Sequence, residues 1–443
     1  MKKHPKRLTP LSSLGAALAL TLGLAAPAAA AAAMPEVGDF DGDGRITTTD
    51  ARCVLQASVG KLGGSRGVED LTPEEFYLAD ADGDGKVTST DARLILQAAV
   101  GKIPGFPERA VAYSENDLEF IGRFGEGESG KYFDWSGSAV TAGFQGTGIG
   151  VRLTASAENS ERADYFNVYI DDRPPYVLTV TPDQEEYTLA EDLPPAHHTV
   201  KLVKRTEAAF GMLICFKGFI YPEGTGPAAA PARAEKSILF LGDSITAGYG
   251  NEGVGSGFVL SQENASLTFG SLTAEALGME ATLVARSGVG LHISLGGEKD
   301  KTVGDYFDKT LYHTATVTNR RTSETPSIIV LNIGTNDYAV GVGDGDFYTD
   351  CLAFVKTLRR TFPGAAVILM TGGGQDKQLY IFEKVAADIR SQYPSARIGV
   401  FESSLKIYTC EPEDLGRDGH PSVIGHRKMA RELTEFIRQK GWQ

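Results

Sequence analysis

Two stretches of this chain are near copies of each other. DFDGDGRITTTDARCVLQASVGK begins at Asp39, and DADGDGKVTSTDARLILQAAVGK begins at Asp80. A duplication constrains a fold more tightly than composition does, because both copies must build the same local unit. In each copy, alternate carboxylates crowd one tight turn. The first carries Asp39, Asp41 and Asp43, and the second Asp80, Asp82 and Asp84, with Gly44 and Gly85 at the point of reversal. Left alone, these charges repel one another. Alternate carboxylates on a turned loop converge on one point, which suits a hard cation that takes oxygen ligands. Calcium is the expected ion. The backbone carbonyls of Arg45 and Lys86 and the closing carboxylates of Asp50 and Asp91 complete the two loops.

Each loop is followed by a helical pattern, Ala51–Val59 and Ala92–Val100. The loops depart from an EF-hand at position twelve, which is Asp instead of Glu, and the first leaves no room for an entering helix. Loop plus exit helix, duplicated over about residues 34–103, resembles a dockerin module. That resemblance implies a calcium-dependent grip on a cohesin domain of a scaffoldin, as in a cellulosome. Thr48, Thr49, Ser89 and Thr90 match the recognition positions, and either copy can serve as the binding face.

Residues 1–33 read as a secretory signal, with Lys2, Lys3, Lys6 and Arg7 ahead of an apolar, alanine-rich run. The expected location is therefore extracellular. A formal net charge of −14 argues against nucleic acid or an anionic membrane as partner. Cys53, Cys215, Cys351 and Cys410 do not form a disulfide framework, and a Cys351–Cys410 pair and free thiols both stay open.

After Pro107 the texture changes. Residues 112–222 hold short alternating runs such as YFNVYIDD, YVLTVT and GMLICFKGFIY, which predict a β-sandwich, jelly-roll-like in type. Pro222–Ala234, rich in Gly, Pro and Ala, reads as a semi-rigid linker. From 236 to 443 the pattern becomes α/β. Ser237–Leu241, Ala281–Ala285, Ser327–Ile333, Ala366–Thr371 and Arg397–Phe401 are near-continuous apolar runs separated by helical ones. They predict a doubly wound parallel sheet.

In such sheets ligands sit at the carboxyl ends of strands. Three strand ends here carry chemistry: Gly242-Asp243-Ser244, Arg286-Ser287-Gly288 and Gly334-Thr335-Asn336-Asp337. Asp418-Gly419-His420-Pro421 stands before the last helix. Ser244 needs a base, and His420 can supply one. The N–H groups of Ser244 and Gly288 and the amide of Asn336 can hold an oxyanion. Asp243 and Asp337 read as supports, Trp135 as sandwich core, and His197, His198, His292, His313 and His426 as structural.

Together, in order, these blocks resemble the SGNH, or GDSL-type, hydrolase superfamily. Phe133-Asp134-Trp135-Ser136-Gly137-Ser138 and Lys204-Arg205-Thr206-Glu207 resemble the N-terminal domain of carbohydrate esterase family two. The resemblance implies an enzyme, an acetyl xylan esterase-like carboxylic ester hydrolase acting on acetylated plant polysaccharide through an acyl-serine. No cofactor takes part in that chemistry. The superfamily's usual acid position, three before the histidine, is Arg417. Asp418 offers a triad from two before; if it points away, a backbone carbonyl can orient His420 and leave a dyad. Gly419 stands where family-two enzymes often carry a tryptophan sugar wall. The rival readings are a lipase or arylesterase on the same fold and a non-catalytic carbohydrate-binding protein.

Overall fold

The computed structural model describes residues 37–443 apart from 84–85, 107–108, 111–117, 128, 157–162, 223, 314–323, 373–377 and 407–409. The expected signal segment, 1–33, and the ligand position of Asp84 lie outside the described residues.

The repeat forms three helices: α1 (Thr48–Ser58), α2 (Pro73–Ala79) and α3 (Ser89–Ala99). Asp50 accepts from Asp41 N at 3.0 Å and from Thr47 N at 2.8 Å. Asp91 does the same for Asp82 N and Thr88 N, at 3.2 and 2.8 Å. The acid closing each loop is thus also the third residue of the exit helix and completes a capping box with Thr47 or Thr88. Loop closure and helix initiation share one side chain, which gives position twelve a reason to be the short Asp. Val54 and Ile95 are fully buried where α1 meets α3. Leu55 and Val59 stay exposed, and so do their counterparts Leu96 and Val100. Tyr77 of α2 donates to the Thr225 carbonyl at 2.9 Å and meets Tyr221 edge-on at 6.2 Å. The module is therefore packed on the domain that follows.

That domain is a sandwich of two antiparallel sheets. Its strands are β1 (Arg109–Ala110), β2 (Leu118–Ile121), β3 (Gly125–Gly127), β4 (Gly130–Phe133), β5 (Ala139–Gly146) and β6 (Ile149–Ser156). They continue with β7 (Asp164–Ile170), β8 (Tyr176–Val180), β9 (Glu186–Ala190), β10 (Ala196–Lys204), β11 (Leu213–Tyr221) and β12 (Gly226–Ala228). One sheet runs β3–β4–β11–β6–β9 with β1 beside β11; the other runs β12–β5–β10–β7–β8 with β2 beside β5. Phe144, Phe166 and Leu202 from one sheet share a core with Leu153, Phe216 and Phe219 from the other. The stretch read as a linker contains β12, whose Gly226, Pro227 and Ala228 pair with Gln145, Phe144 and Gly143. Pro227 is tolerated there because β12 is an edge strand.

The last domain has five parallel strands: β13 (Ser237–Gly242), β14 (Glu280–Ala285), β15 (Ile328–Asn332), β16 (Ala366–Thr371) and β17 (Ile398–Glu402). Their order is β14–β13–β15–β16–β17. Alternation along the strands feeds two cores. Leu239, Leu241, Ile329, Leu331 and Val367 pack with α8 (Asp344–Thr361) and α9 (Leu379–Gln392). Ile238, Phe240, Val330, Ile368 and Met370 pack with α5 (Phe269–Leu277) and α10 (Val423–Lys440). Burial on both faces is why these strands read as continuous apolar runs. Short helices α4 (Ser244–Ala247), α6 (Val303–Tyr306) and α7 (Thr335–Ala339) cap strand ends and loops. The chain adds β14 on one side of β13 and then crosses back to add β15 on the other, so the carboxyl end of β13 is a topological switch point.

The sandwich and the parallel-sheet domain are tied by buried groups. Trp135 was expected in the sandwich core. It is buried instead against Tyr306 and Tyr312, ring centroids 5.6 and 5.9 Å away, and its indole N–H donates to Thr310 O at 3.1 Å. Arg123 donates to Phe307 O and Lys309 O at 2.8 and 2.7 Å. Asn167 donates to Asn264 Oδ1 at 2.9 Å, and the Arg205 carbonyl accepts from Ala265 N at 2.9 Å. No disulfide links Cys351 to Cys410. Among the described residues, no helix is long and apolar enough to cross a membrane.

Candidate active site

The end of β13 must turn sharply into α4. At Gly242 a Cβ atom would lie 2.1 Å from Thr246 Oγ1 and 2.7 Å from the Asn332 carbonyl, so only glycine fits. Asp243 caps α4 by accepting from Ile245 N at 3.0 Å. Burial pushes its carboxyl up to about 7, against that hydrogen bond. The turn presents Ser244, whose hydroxyl oxygen lies 2.7 Å from His420 Nε2.

His420 precedes α10, whose first turn is capped by Ser422. Its Nδ1 meets the Arg417 carbonyl at 3.2 Å. A carbonyl can only accept, so Nδ1 carries the proton and Nε2 is left to accept from Ser244. Burial holds the imidazole below its ordinary range, opposed by the Arg417 carbonyl and the charge of Asp418. Asp418 itself has a left-handed backbone, with φ of 51°. Its carboxylate accepts from Gly257 N at 3.0 Å and from Tyr249 Oη at 2.9 Å. These bonds turn it away from the imidazole. The hydrogen-bond geometry is that of a dyad oriented by a backbone carbonyl. Arg417, dismissed for its side chain, supplies that carbonyl.

Ser244, Gly288, Asn336 and His420 line one open cleft of about 510 Å³. Gly288 adopts φ of 76°, which a side chain would resist. Asn336 is buried and anchors its amide by donating to Val289 O at 2.7 Å. Asp337 accepts from Leu291, His292 and Ile293 N–H at 2.8, 2.7 and 3.2 Å, holding the loop beyond Gly288. Its reading as a support matches these bonds.

Aromatic rings flank the cleft. Tyr249 packs tilted against His420 with centroids 4.4 Å apart, Phe258 against Tyr249 at 4.9 Å, and Phe210 of the sandwich against Phe258 at 4.4 Å. Beside His420, nothing stands within 4 Å of where a Gly419 side chain would begin. Four other histidines pair elsewhere: His198 with Asp171, His292 with Asp350, His313 with Asp134, and His426 with Phe269 N.

One residue escaped the sequence reading. Glu207, fully buried, accepts from Ser287 N at 2.6 Å and from the Ser287 hydroxyl. Burial pushes its carboxyl up to about 7, against the Ser287 bonds and the charges of Arg286 and Lys204. The available signal was four consecutive polar residues, Lys204 to Glu207, at a strand end that turns out to be buried.

In the repeat, carboxylate oxygens of Asp39, Asp41 and Asp43 lie within 4.8 Å of one another, as do those of Asp80, Asp82 and Asp91. Burial, then the charges of Asp50 and Asp43, raise Asp41. An all-oxygen set of mutually repelling acids fits a calcium ion.

The parallel sheet, its switch-point serine and the cleft define a GDSL-type α/β hydrolase fused to a sandwich. Family models agree on each part. The Dockerin type I domain matches residues 37–98, the Carbohydrate esterase 2 N-terminal domain 120–231, and the GDSL-like Lipase/Acylhydrolase family 240–428. An acetylxylan esterase / glucomannan deacetylase of Cellvibrio japonicus is 30% identical over 68% of this chain and 85% of its own length. The chain belongs to carbohydrate esterase family two and is an ester hydrolase carrying a dockerin. The cellulase/esterase CelE of Acetivibrio thermocellus is 34% identical over 91% of this chain, which spans about half (49%) of that relative. A solved family-two esterase from Clostridium thermocellum, in complex with cellohexaose, superposes with a TM-score of 0.68 at 28% identity, covering 74% of this chain and 100% of the other.

Proposed function

We propose that this chain is a secreted esterase that removes O-acetyl groups from a plant cell-wall polysaccharide such as xylan, by a serine acyl-enzyme route. The observation that carries the reading is the 2.7 Å contact of Ser244 Oγ with His420 Nε2 in the cleft that Gly288 and Asn336 also line. The name of the Cellvibrio japonicus relative supports the acetyl ester as substrate.

In this reading Ser244 Oγ attacks the acetyl carbonyl while its proton passes to His420 Nε2. The N–H groups of Ser244 and Gly288 and the Asn336 amide hold the developing oxyanion; each such donor is worth ~3–4 kcal/mol. His420 then gives that proton to the departing sugar oxygen, which leaves as a hydroxyl. Water, deprotonated by His420, attacks the acetyl-serine and releases acetate. The Arg417 carbonyl keeps the imidazole in its working tautomer, and Asp418 acts only at a distance.

Calcium supplies a positive centre that fixes the dockerin loops. Asp39, Asp41, Asp43, Asp50 and the Arg45 carbonyl would hold one ion; Asp80, Asp82, Asp84, Asp91 and the Lys86 carbonyl would hold the other. The folded module would then bind a cohesin through Thr48 and Thr49 or Ser89 and Thr90. Thr47 and Thr88 cap the exit helices, which leaves the hydroxyls of these four exposed residues for a partner.

The test is acetate release from acetylated xylan, mannan and glucan by wild type and Ser244→Ala. The wild type should release acetate from at least one, and the variant from none. More than a few per cent of wild-type turnover in the variant would sink the nucleophile assignment.

A further inference from the structure

The sandwich reaches into the catalytic site through one side chain. Glu207 sits three residues beyond β10, in a turn whose backbone is fastened on both sides. The Arg205 carbonyl accepts from Ala265 N at 2.9 Å, and Glu207 N donates to Glu263 Oε2 at 3.0 Å. Lys204 Nζ holds the Thr206 carbonyl at 2.8 Å. The carboxylate therefore has little freedom to swing.

Both of its oxygens are spent on Ser287. One takes the backbone N–H at 2.6 Å and the other takes the hydroxyl. Ser287 adjoins Gly288, which has no side chain to steady it. The one neighbour within 4 Å of a Cβ placed there is Leu295 Cβ, at 3.6 Å. The Gly288 carbonyl accepts from Leu295 N at 2.8 Å, which fixes the far side of that residue. The near side is fixed by the two-point hold on Ser287. The Ser287 bonds and the charges of Arg286 and Lys204 favour the carboxylate's anion and counter part of the effect of its burial.

We infer that Glu207 is a positioning residue of the esterase reaction, clamping Ser287 so that the Gly288 N–H points at the oxyanion. The inference rests on the proposed role of Gly288. It makes the sandwich part of the catalytic apparatus, because one of the two holds on that donor comes from outside the hydrolase domain. Aimed donors act on the transition state more than on the bound ester, so loss of aim should lower kcat and spare KM.

The experiment compares Glu207→Ala, Glu207→Gln and Ser287→Ala in the full chain, with an activated acetate ester. Glutamine can keep both bonds: its Oε1 accepts from Ser287 N–H and its Nε2 donates to the Ser287 hydroxyl. Glu207→Ala should lose roughly 10- to 100-fold in kcat, less than outright removal of an oxyanion donor, with KM within about threefold. Glu207→Gln should recover most of that loss. Ser287→Ala, which removes one clamp bond and leaves the backbone N–H, should fall between them. Wild-type kcat in folded Glu207→Ala overturns the inference, as does a loss expressed in KM alone. If Glu207→Ala does not fold, wild-type kcat in Ser287→Ala overturns it. An active Ser244→Ala would instead undo the serine reading itself, so the two failures are distinguishable.

Discussion

Asp418 directs its hydrogen bonds to Tyr249 and Gly257 and not to His420: it accepts from the Tyr249 phenol at 2.9 Å, and the Tyr249 ring lies against the imidazole, tilted by 30° with centroids 4.4 Å apart. The acid steadies a ring that covers the base and does not bond to the base. Asp418→Asn should therefore cost less than about tenfold in kcat, while His420→Ala should cost roughly 1,000-fold, the usual worth of a general base. Asparagine suits the left-handed backbone, so the substitution adds little strain. Equal losses from the two variants, measured on one acetyl ester, would restore an obligatory triad.

The pH profile should show the same relationship. Catalysis needs neutral His420, and burial holds its pKa below the ordinary 6.5. The acid limb of kcat/KM should thus fall below pH 6.5, with activity lost as pH drops through it. Asp418 raises the histidine pKa, so Asp418→Asn should move the limb to still lower pH. A shift to higher pH would contradict this arrangement.

Calcium should stabilise the N-terminal module. At 100 times its dissociation constant a single bound ion adds about 2.7 kcal/mol. Chelation should lower the first thermal transition and weaken the helical signal, because Asp50 and Asp91 serve both loop and helix cap. Esterase kcat should not change. A melting curve indifferent to chelator would count against the calcium assignment.

Trp135→Ala should destabilise sandwich and hydrolase together. The side chain is 1% exposed and packs against Tyr306 and Tyr312. Emptying such a site costs about 3–5 kcal/mol. Calorimetry should show one shifted transition covering both domains. Residues 236–443 expressed alone should be poorly folded, since they lose this contact and those of Arg123 and Arg205. A stable, fully active fragment would refute the coupling.

What could be read from the sequence was what is local. The two acidic loops declare themselves by carboxylate spacing within twelve residues. Ser244, Gly288 and Asn336 follow strands whose apolar runs fix their ends. The parts that could not be read are made by distant neighbours or by backbone atoms. Arg417 was judged by its guanidinium, yet its carbonyl meets His420. Glu207 and Ser287 are eighty residues apart in the chain, and no pattern joins them. Trp135 was rightly expected to be buried but assigned to the wrong side, because nothing local distinguishes a sandwich core from a domain junction. The sequence Gly226-Pro227-Ala228 reads as part of a semi-rigid linker, and it becomes a strand because β5 offers it an open edge.

The Tyr77–Thr225 bond bears on how the enzyme would be carried. A catalytic body hung on a loose string sweeps every direction around its anchor. Here the body is bolted to its own handle. The handle carries two related exposed patches, Leu55 and Val59 in the first repeat and Leu96 and Val100 in the second, on the same exit helices as Thr48, Thr49, Ser89 and Thr90. If a scaffold held the module by one repeat or by the other, as the proposed function allows, the cleft would face a different way in each case. Such an enzyme would work a polysaccharide surface like a tool with two settings, and its neighbours on the scaffold would decide which setting meets the fibre.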